Sequence, residues 1–247
     1  MSGTVSALWR HPIKGHGREE VSSVDLGVGR TMPGDRVWAV THEASKTNGG
    51  EWARCANFSR GSKTPALQGI RTKTDDDGTL RLTHPNLPDI AIDPATDSAA
   101  FVAWVTPLMD SDRAQSTALV PSGPNGMTDS PFPSISLINM ASHRVFEQTA
   151  GRPLNPLRWR GNVLMDGLAP WEEFDWVGKE ITLGHATLLV KERIVRCNAT
   201  RANPDTGQID FDTLALLSER WDHQEFGVYG EVIEGGLVET GSTVALA

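Results

Sequence analysis

The sequence predicts a mainly β protein with a few helices, of the α+β class. Short apolar runs bounded by Gly, Pro, Asp and Asn dominate the chain, and long segments with a helical period are few. Turn sequences separate the runs, for example Asp-Asp-Gly at 76–78 and Pro-Asp-Thr-Gly at 204–207. At 247 residues, the chain is long enough to bury a core, either as one large domain or as two small ones.

Seven apolar runs predict strands, in chain order at 5–9, 35–41, 79–84, 116–120, 161–166, 179–184 and 186–195. Three helices are predicted between them, at 97–105, 140–150 and 213–221. Asp97, Asn139 and Asp212 are the candidate N-caps, because their short polar side chains accept hydrogen bonds from the first turn. Gly151 follows the second helix, as is typical of a helix end.

The segment at 120–134 is rich in Pro and Gly and is the best candidate for a domain boundary. It predicts an N-terminal β domain at 1–125 and a C-terminal, β-barrel-like domain at 126–247. The sequence leaves open a second arrangement, in which a strand of one half completes the sheet of the other.

Charge and cysteine content exclude several classes of protein. The chain has 23 Lys and Arg against 31 Asp and Glu, a net charge of −8, so no nucleic acid or membrane partner is expected. No window reaches the 18 apolar residues of a membrane helix, and the first residues do not resemble a signal peptide. Two cysteines are too few for a disulfide scaffold, a Cys-rich zinc site or an iron–sulfur cluster on this chain. We therefore expect a reduced, cytoplasmic protein.

Basic residues in two clusters indicate a local anion site. Lys14 follows a Pro turn in LWRHPIKG, and Arg36 follows a Gly turn in PGDRVWAV. Arg158 and Arg160 alternate in NPLRWRGN, so in an extended segment both guanidinium groups would point to one side. Arg binds phosphate through two parallel hydrogen bonds, and these side chains could hold a phosphorylated ligand. The alternative for each is a solvated or ion-paired surface residue.

Cys197 has an unusual setting, since Arg196 precedes it and a polar run ending in Pro-Asp-Thr-Gly follows it. Neighbouring cations lower the pKa of a thiol, and a metal deprotonates it outright. The turn would hold the cysteine in a fixed loop, and Thr200 is placed to bond either a ligand or its own backbone. The alternatives are an inert cysteine and a disulfide between Cys55 and Cys197.

Three other motifs favour structural interpretations. His11 and His16 have no carboxylate or cysteine spaced to complete a zinc site, so we expect solvated histidines. The consecutive carboxylates of TDDDGT at 74–79 predict a hairpin turn instead of a calcium loop. Eight tryptophans spread along the chain predict core packing.

Taken together, these clusters resemble the MOSC-domain family, the molybdenum-cofactor sulfurase C-terminal domain, in the form with an N-terminal β-barrel domain. RCNATRANPDTG is similar to the family pattern Arg-Cys-x-x-Thr-x-x-(Asp/Asn)-Pro-Asp-Thr-Gly. LWRHPIKG resembles Tyr-Pro-Val/Ile-Lys-Ser, with His11 and Gly15 replacing Tyr and Ser. RWRGN resembles Arg-Phe-Arg-Pro-Asn, with Gly161 in place of Pro. The resemblance implies two β-barrel-like domains, 1–125 being the N-terminal barrel and 126–247 the MOSC domain.

The resemblance also implies a molybdenum cofactor, a pyranopterin whose dithiolene chelates molybdenum and whose tail ends in phosphate. In the reductase branch, which includes the amidoxime-reducing component, the cysteine matching Cys197 is the ligand to the metal. The positions matching the family's cofactor contacts, with Asn162 orienting the basic groups, are Lys14, Arg36, Arg158, Arg160, Asn162, Arg196 and Thr200. Asp129 and His143 are the candidate proton donors, Asp129 being the one we assign to catalysis.

The function implied is an oxidoreductase that removes oxygen from N-hydroxylated small molecules at a cysteine-ligated molybdenum, with electrons from a separate protein. One alternative is a carrier of sulfur or of molybdenum cofactor without redox turnover. Another is a two-barrel binding protein that has lost its metal.

Overall fold

Fifteen strands and three α-helices are formed by residues 2–123 and 125–247, the part of the chain that this computed structural model describes. The strands are β1 Gly3–Arg10, β2 Glu19–Val21, β3 Ser23–Leu26, β4 Trp38–His42, β5 Arg71–Thr74, β6 Leu80–His84, β7 Leu87–Ile92, β8 Ser116–Pro121, β9 Ile135–Asn139, β10 Val163–Asp166, β11 Glu180–Leu183, β12 Ala186–Val195, β13 Glu225–Glu234, β14 Gly236–Glu239 and β15 Thr243–Leu246. The helices are α1 Ser98–Val105, α2 Met140–Ala150 and α3 Thr213–Trp221.

Six short 3-10 helices lie in the connections, at Cys55–Asn57, Pro65–Gly69, Thr106–Leu108, Pro156–Trp159, Glu172–Trp176 and Asn198–Arg201. No helix of the described residues is long and apolar enough to cross a membrane. The prediction of a mainly β fold with a few helices is confirmed.

Seven strands close into a barrel in the order β10-β9-β13-β12-β11-β15-β1, because β1 also pairs with β10. Strands β9 and β10 are parallel and are connected through α2, whereas the other pairings in this sheet are antiparallel. The barrel encloses an apolar core to which nearly every one of its strands contributes Val, Leu or Ile. Closure leaves no free edge among these seven strands, so their backbone groups are paired around the ring.

The first strand of the chain completes the sheet of the C-terminal half. In β1, Val5 and Leu8 are 1% and 0% exposed and point into the barrel core. β3 likewise pairs with β14, near the other end of the sequence. The arrangement left open by the sequence, a strand of one half completing the other's sheet, is therefore the one found. The boundary between 125 and 126 stays a prediction.

The remaining N-terminal residues form two small sheets, the pair β4-β8 and the antiparallel meander β5-β6-β7, with α1 packed beside them. Strands β5 and β6 flank the acidic turn, which confirms the predicted hairpin. A separate apolar cluster lies here, including Leu67, Leu82 and Phe101.

The three predicted helices are confirmed, with one correction at their caps. The side chains of Asn139 and Asp212 accept hydrogen bonds from Ala141 and Ala215, as N-caps do. Asp97 does not cap α1; its carboxylate instead accepts from the backbone N–H of Asp93. A tight turn before the helix competes for the same side chain, a choice that residue type alone does not predict.

We expect Leu8→Ala to lower the free energy of unfolding by about 2–5 kcal/mol, because it removes a fully buried side chain where β1 closes the barrel. Leu246→Ala is the matched control, since Leu246 is 47% exposed on β15, and should cost about 0.5 kcal/mol or less. Urea unfolding followed by tryptophan fluorescence measures both changes. Equal losses in the two variants would show that β1 is not an integral strand of the barrel.

Candidate functional site

A cavity of about 270 Å³ lies where the two halves of the chain meet. Its wall combines residues of the N-terminal turns, the segment around Asp129, the Arg158–Arg160 segment and the residues after β12. It carries six cationic side chains and one carboxylate: Lys14, Arg36, Arg60, Arg158, Arg160, Arg196 and Asp129. A chain with a net charge of −8 thus concentrates positive charge at one place, as expected of a site for an anion.

Arg160 is a cation of the cavity whose terminal nitrogens have no acceptor. Both terminal nitrogens of its guanidinium are buried and have no hydrogen-bond partner. Burial, together with the charges of Arg36 and Arg18, lowers the pKa of Arg160 to about 9. A buried charge without partners is costly to the fold and is found where a ligand supplies the missing acceptors.

The prediction that Arg158 and Arg160 lie in an extended segment is wrong. Residues Pro156–Trp159 form a 3-10 helix, and Arg160 follows with φ of 50° in the left-handed region. The segment is therefore not extended, and simple alternation does not align its two arginines. Both line the cavity nonetheless.

Each nitrogen of the Arg158 guanidinium already has an acceptor within the chain. Its guanidinium donates to the Asp210 carboxylate at 3.1 Å, to the Thr200 carbonyl at 3.1 Å and to the Asn155 carbonyl at 3.3 Å. These bonds tie the 3-10 helix to the loop that follows Cys197. Arg158 thus supplies positive charge and holds the loop in place, with less capacity than Arg160 to bond a ligand directly.

The Lys14 ammonium has acceptors within the chain for all of its N–H donors. Its ammonium donates to the carbonyls of Met127 and Thr128, at 2.8 and 3.1 Å, and to the carboxylate of Asp129. All three donors of the ammonium are in use. Although desolvation opposes it, the charges of Lys14 and Arg36 lower the pKa of Asp129 below its usual range. Asp129 is accordingly a carboxylate near neutral pH and does not itself hold a proton to donate.

Arg36 is oriented by a buried carboxylate. Its guanidinium donates to Asp35, which is 0% exposed, and reaches the Arg160 carbonyl at 3.4 Å. Asp35 also accepts from the backbone N–H of His11 at 2.7 Å and lies 3.2 Å from its Nδ1. The arginine is therefore fixed in the wall before any ligand arrives.

The prediction of solvated histidines is wrong. His11 and His16 are 1% and 0% exposed, and burial lowers their pKa values to about 3 and about 4. His11 packs against Asp35, and His16 bonds to the Lys14 carbonyl at 2.8 Å. Both side chains are therefore neutral near pH 7 and pack within the fold. The sequence did not reveal this, because their polar partners come from a turn more than 20 residues away and from the backbone.

Cys197 is exposed and lies between β12 and the 3-10 helix Asn198–Arg201. Thr200 donates its hydroxyl to the Cys197 carbonyl at 3.0 Å and bonds to the Thr213 hydroxyl at 2.6 Å. The loop is also held from outside, since the buried Arg18 donates to the Pro204 carbonyl at 2.6 Å. These bonds fix the backbone around Cys197. Cys55 and Cys197 are both free thiols, so no disulfide joins them.

Arg196 lies beneath the cysteine, over the Trp159 ring at 5.6 Å. Its guanidinium donates to the carbonyls of Phe226 and Trp159, each at 2.8 Å. Burial lowers its pKa to about 10, and the nearby Cys197 opposes that shift. Its partners are backbone carbonyls, so the arginine adds positive charge to the cavity wall beside Cys197.

Two predicted site residues lie outside the cavity wall. Asn162 is buried between strands and bonds to Ser136 through its side-chain oxygen, at 2.7 Å, and to the Trp9 carbonyl. His143 is buried against the Leu154 carbonyl at 2.8 Å, and burial lowers its pKa. Neither lines the cavity, but each bonds to a side chain that does: Asn162 accepts from the Ser136 hydroxyl, and His143 accepts from the Trp159 indole N–H at 3.0 Å.

The sequence analysis did not identify several residues of the wall, among them Cys55, Arg60 and Tyr229. From the sequence, Cys55 is a candidate only for a disulfide, and Arg60 belongs to no recognisable motif. Tyr229 is the only tyrosine of the chain and lies on β13, opposite Glu192 of β12. Its uniqueness was the available signal, but only the barrel shows which way the side chain faces.

Family comparisons cover both halves. The model of the MOSC N-terminal beta barrel domain matches residues 2–116, and that of the MOSC domain matches residues 127–245. No curated protein matches the sequence.

Among solved structures, the YUAD protein of Bacillus subtilis is similar at 13% identity and a TM-score of 0.44, over 99% of this chain and 94% of that one. YiiM of Geobacillus stearothermophilus is similar at 20% identity and a TM-score of 0.35, over 46% of this chain and 53% of that one. YiiM of Escherichia coli is similar at 18% identity and a TM-score of 0.32, over 46% of this chain and 53% of that one.

We expect Arg160→Met to raise the free energy of unfolding of the ligand-free protein by about 1–3 kcal/mol, because it removes buried donors without partners. Inorganic phosphate should raise the Tm of the wild type and leave that of the variant unchanged. Arg81→Met is the control, since Arg81 is an exposed partner of Asp75, and it should keep the phosphate response. A destabilised Arg160→Met protein that still responds to phosphate would contradict an anion site at this arginine.

Proposed function

The chain belongs to the MOSC domain family, and from this membership we propose that its cationic cavity binds a molybdenum cofactor with Cys197 as the protein's ligand to the metal. MOSC domains are associated with proteins that bind this cofactor. The observation that carries the proposal is the pairing, in one cavity, of an exposed thiol with a buried guanidinium that has no partner.

The potential metal ligands of the cavity fit a molybdenum cofactor. Among residues 2–123 and 125–247, no group of three or more His, Cys, Asp or Glu is placed to hold a metal ion. A metal in this cavity would need ligands carried by its own chelator, completed by one protein atom. A dithiolene-bound molybdenum has that requirement, and a thiolate is the soft donor suited to it.

The chain's residues then divide the work of binding. Arg160 offers its two free terminal nitrogens to the phosphate, a bidentate contact that lysine does not provide. Arg158 and Arg36 add positive charge from fixed positions, each held by a buried or partly buried carboxylate. Arg196 adds positive charge beside Cys197.

When bound, the cofactor supplies oxygen-atom transfer coupled to two electrons, which suits reduction of N-hydroxylated small molecules. The chain fixes the ligand loop, the loop that carries Cys197, through Thr200 within the loop and through Arg18, which donates to its Pro204 carbonyl. Ile194 and Ala199 contribute apolar surface beside Cys197, which suits the uncharged part of an organic substrate. Electrons would come from a separate electron-carrier protein, and the free thiols are consistent with the reducing cytoplasm.

A second candidate function is favoured by the exposure of Cys197. A thiol open to solvent suits a carrier of sulfur or of cofactor, which must pass its cargo to another protein. The two functions differ in the protection of the thiol. In the reductase, bound cofactor shields Cys197 from alkylation, whereas a carrier leaves it reactive.

The reductase predicts about one molybdenum and one pterin per chain in protein purified from a host that makes the cofactor. Cys197→Ser should lose reduction of a hydroxylamine substrate with a reduced viologen as electron donor, because a hydroxyl is a poor replacement for a soft thiolate. Cys55→Ser removes the other thiol and should keep the metal. Metal analysis, pterin fluorescence and the viologen assay measure these outcomes. Equal reduction by wild type and Cys197→Ser would rule out ligation by this sulfur as the basis of activity.

A further inference from the structure

Cys55 is a second thiol in the cavity wall, and the proposed binding of the cofactor does not use it. It begins the 3-10 helix Cys55–Asn57 and is partly buried. Its Sγ donates to the Asp129 carboxylate at 2.9 Å, and the same carboxylate oxygen accepts from Lys14. Three distant segments of the chain thus place a thiol, a carboxylate and an ammonium together at the cavity.

The surroundings of Cys55 favour the protonated thiol over the thiolate. Burial, and next the negative charge of Asp129, raise the pKa of the Cys55 thiol, while Lys14 opposes that rise. Asp129 is ionised because Lys14 and Arg36 lower its pKa. Tyr229 also keeps its proton, since burial and Asp129 raise the pKa of its phenol. A phenol is the weaker acid of the two from the outset.

Reduction of an N-hydroxylated compound needs an acid. The substrate R₂N–OH takes up two electrons and two protons, its N–O bond breaks, and the products are R₂NH and water. The electrons come from the electron-carrier protein named above. The proton delivered to the departing oxygen has to come from a group that faces the cavity and still holds its proton at the working pH. Asp129 holds no proton, His143 lies outside the cavity, and Arg160 is assigned to the phosphate.

We propose that Cys55 is the catalytic acid that protonates the departing oxygen, and that Asp129 is the positioning residue that keeps it a thiol. The assignment rests on the proposed reductase function. Cys55 supplies one of the two protons, and solvent supplies the other. The thiolate that forms lies near the Lys14 ammonium, which favours the negative charge, and it regains its proton from water at the mouth of the cavity.

The first test needs neither cofactor nor activity. In a Cys197→Ser background, Cys55 is the only thiol, so its rate of alkylation by iodoacetamide reports its thiolate fraction. Asp129→Asn removes the negative charge and leaves Lys14 in place, so the rate at pH 8 should rise about tenfold, which corresponds to a pKa lower by about one unit. Asp129→Glu retains the charge and should keep the slow rate. An unchanged rate in Asp129→Asn would overturn the role of Asp129.

The second test separates an acid from a structural contact. Cys55→Ser keeps a donor to Asp129 but replaces the thiol by a hydroxyl whose pKa is far above neutral, and Cys55→Ala removes the donor. Both variants should retain molybdenum and lose about 10²-fold in kcat. In the wild type, kcat should fall as the pH rises through the thiol pKa, and this fall should be absent from both variants. If Cys55→Ser has the kcat and pH profile of the wild type, the thiol is a structural contact and the proposal is wrong.

The two proposals fail in different ways. A wild type that contains no molybdenum and reduces no hydroxylamine refutes the reductase function, and the role of Cys55 with it. An active wild type whose Cys55 variants match it in kcat and pH profile leaves the reductase function intact and refutes the acid alone.

Discussion

A buried positive charge without a partner, the guanidinium of Arg160, is the feature on which the rest of the site depends. The other buried arginines of the cavity have acceptors: Arg36 has Asp35, Arg158 has Asp210, and Arg196 has backbone carbonyls. Burying a charge is unfavourable unless something compensates it. A fold that gives acceptors to these three guanidinium groups and leaves the terminal nitrogens of Arg160 open supports the proposal that the cavity binds an anion.

The barrel is what brings the parts of the site together. Strand β1 begins the chain yet closes the ring against β10, so the turn that carries Lys14 is delivered to the end of the barrel where the ligand loop leaves β12. The loop is then fixed from both sides, by Arg158 from its own half and by Arg18 from the N-terminal half. The two halves therefore build one site, and neither half holds the cavity alone.

Much of this could be predicted from the sequence, because turn residues and short apolar runs report local structure directly. The motifs that resemble the family pattern predicted that the basic residues and Cys197 share one site. The roles of the wall residues could not be predicted from motifs, since Lys14 and Arg158 bond to partners that are distant in sequence. Packing also explains two departures from the family pattern. Gly15 has φ of +75° and lies against the Ser59 carbonyl, and a Cβ at Gly161 would meet Ile138 at 2.2 Å.

A crystal structure of the protein isolated from a host that makes molybdenum cofactor tests the central claim most directly. We expect a phosphate oxygen within hydrogen-bond distance of both Arg160 terminal nitrogens, and anomalous scattering from molybdenum at bonding distance from the sulfur of Cys197. A cavity filled only with water around that guanidinium, or a cofactor bound elsewhere on the surface, would contradict the account.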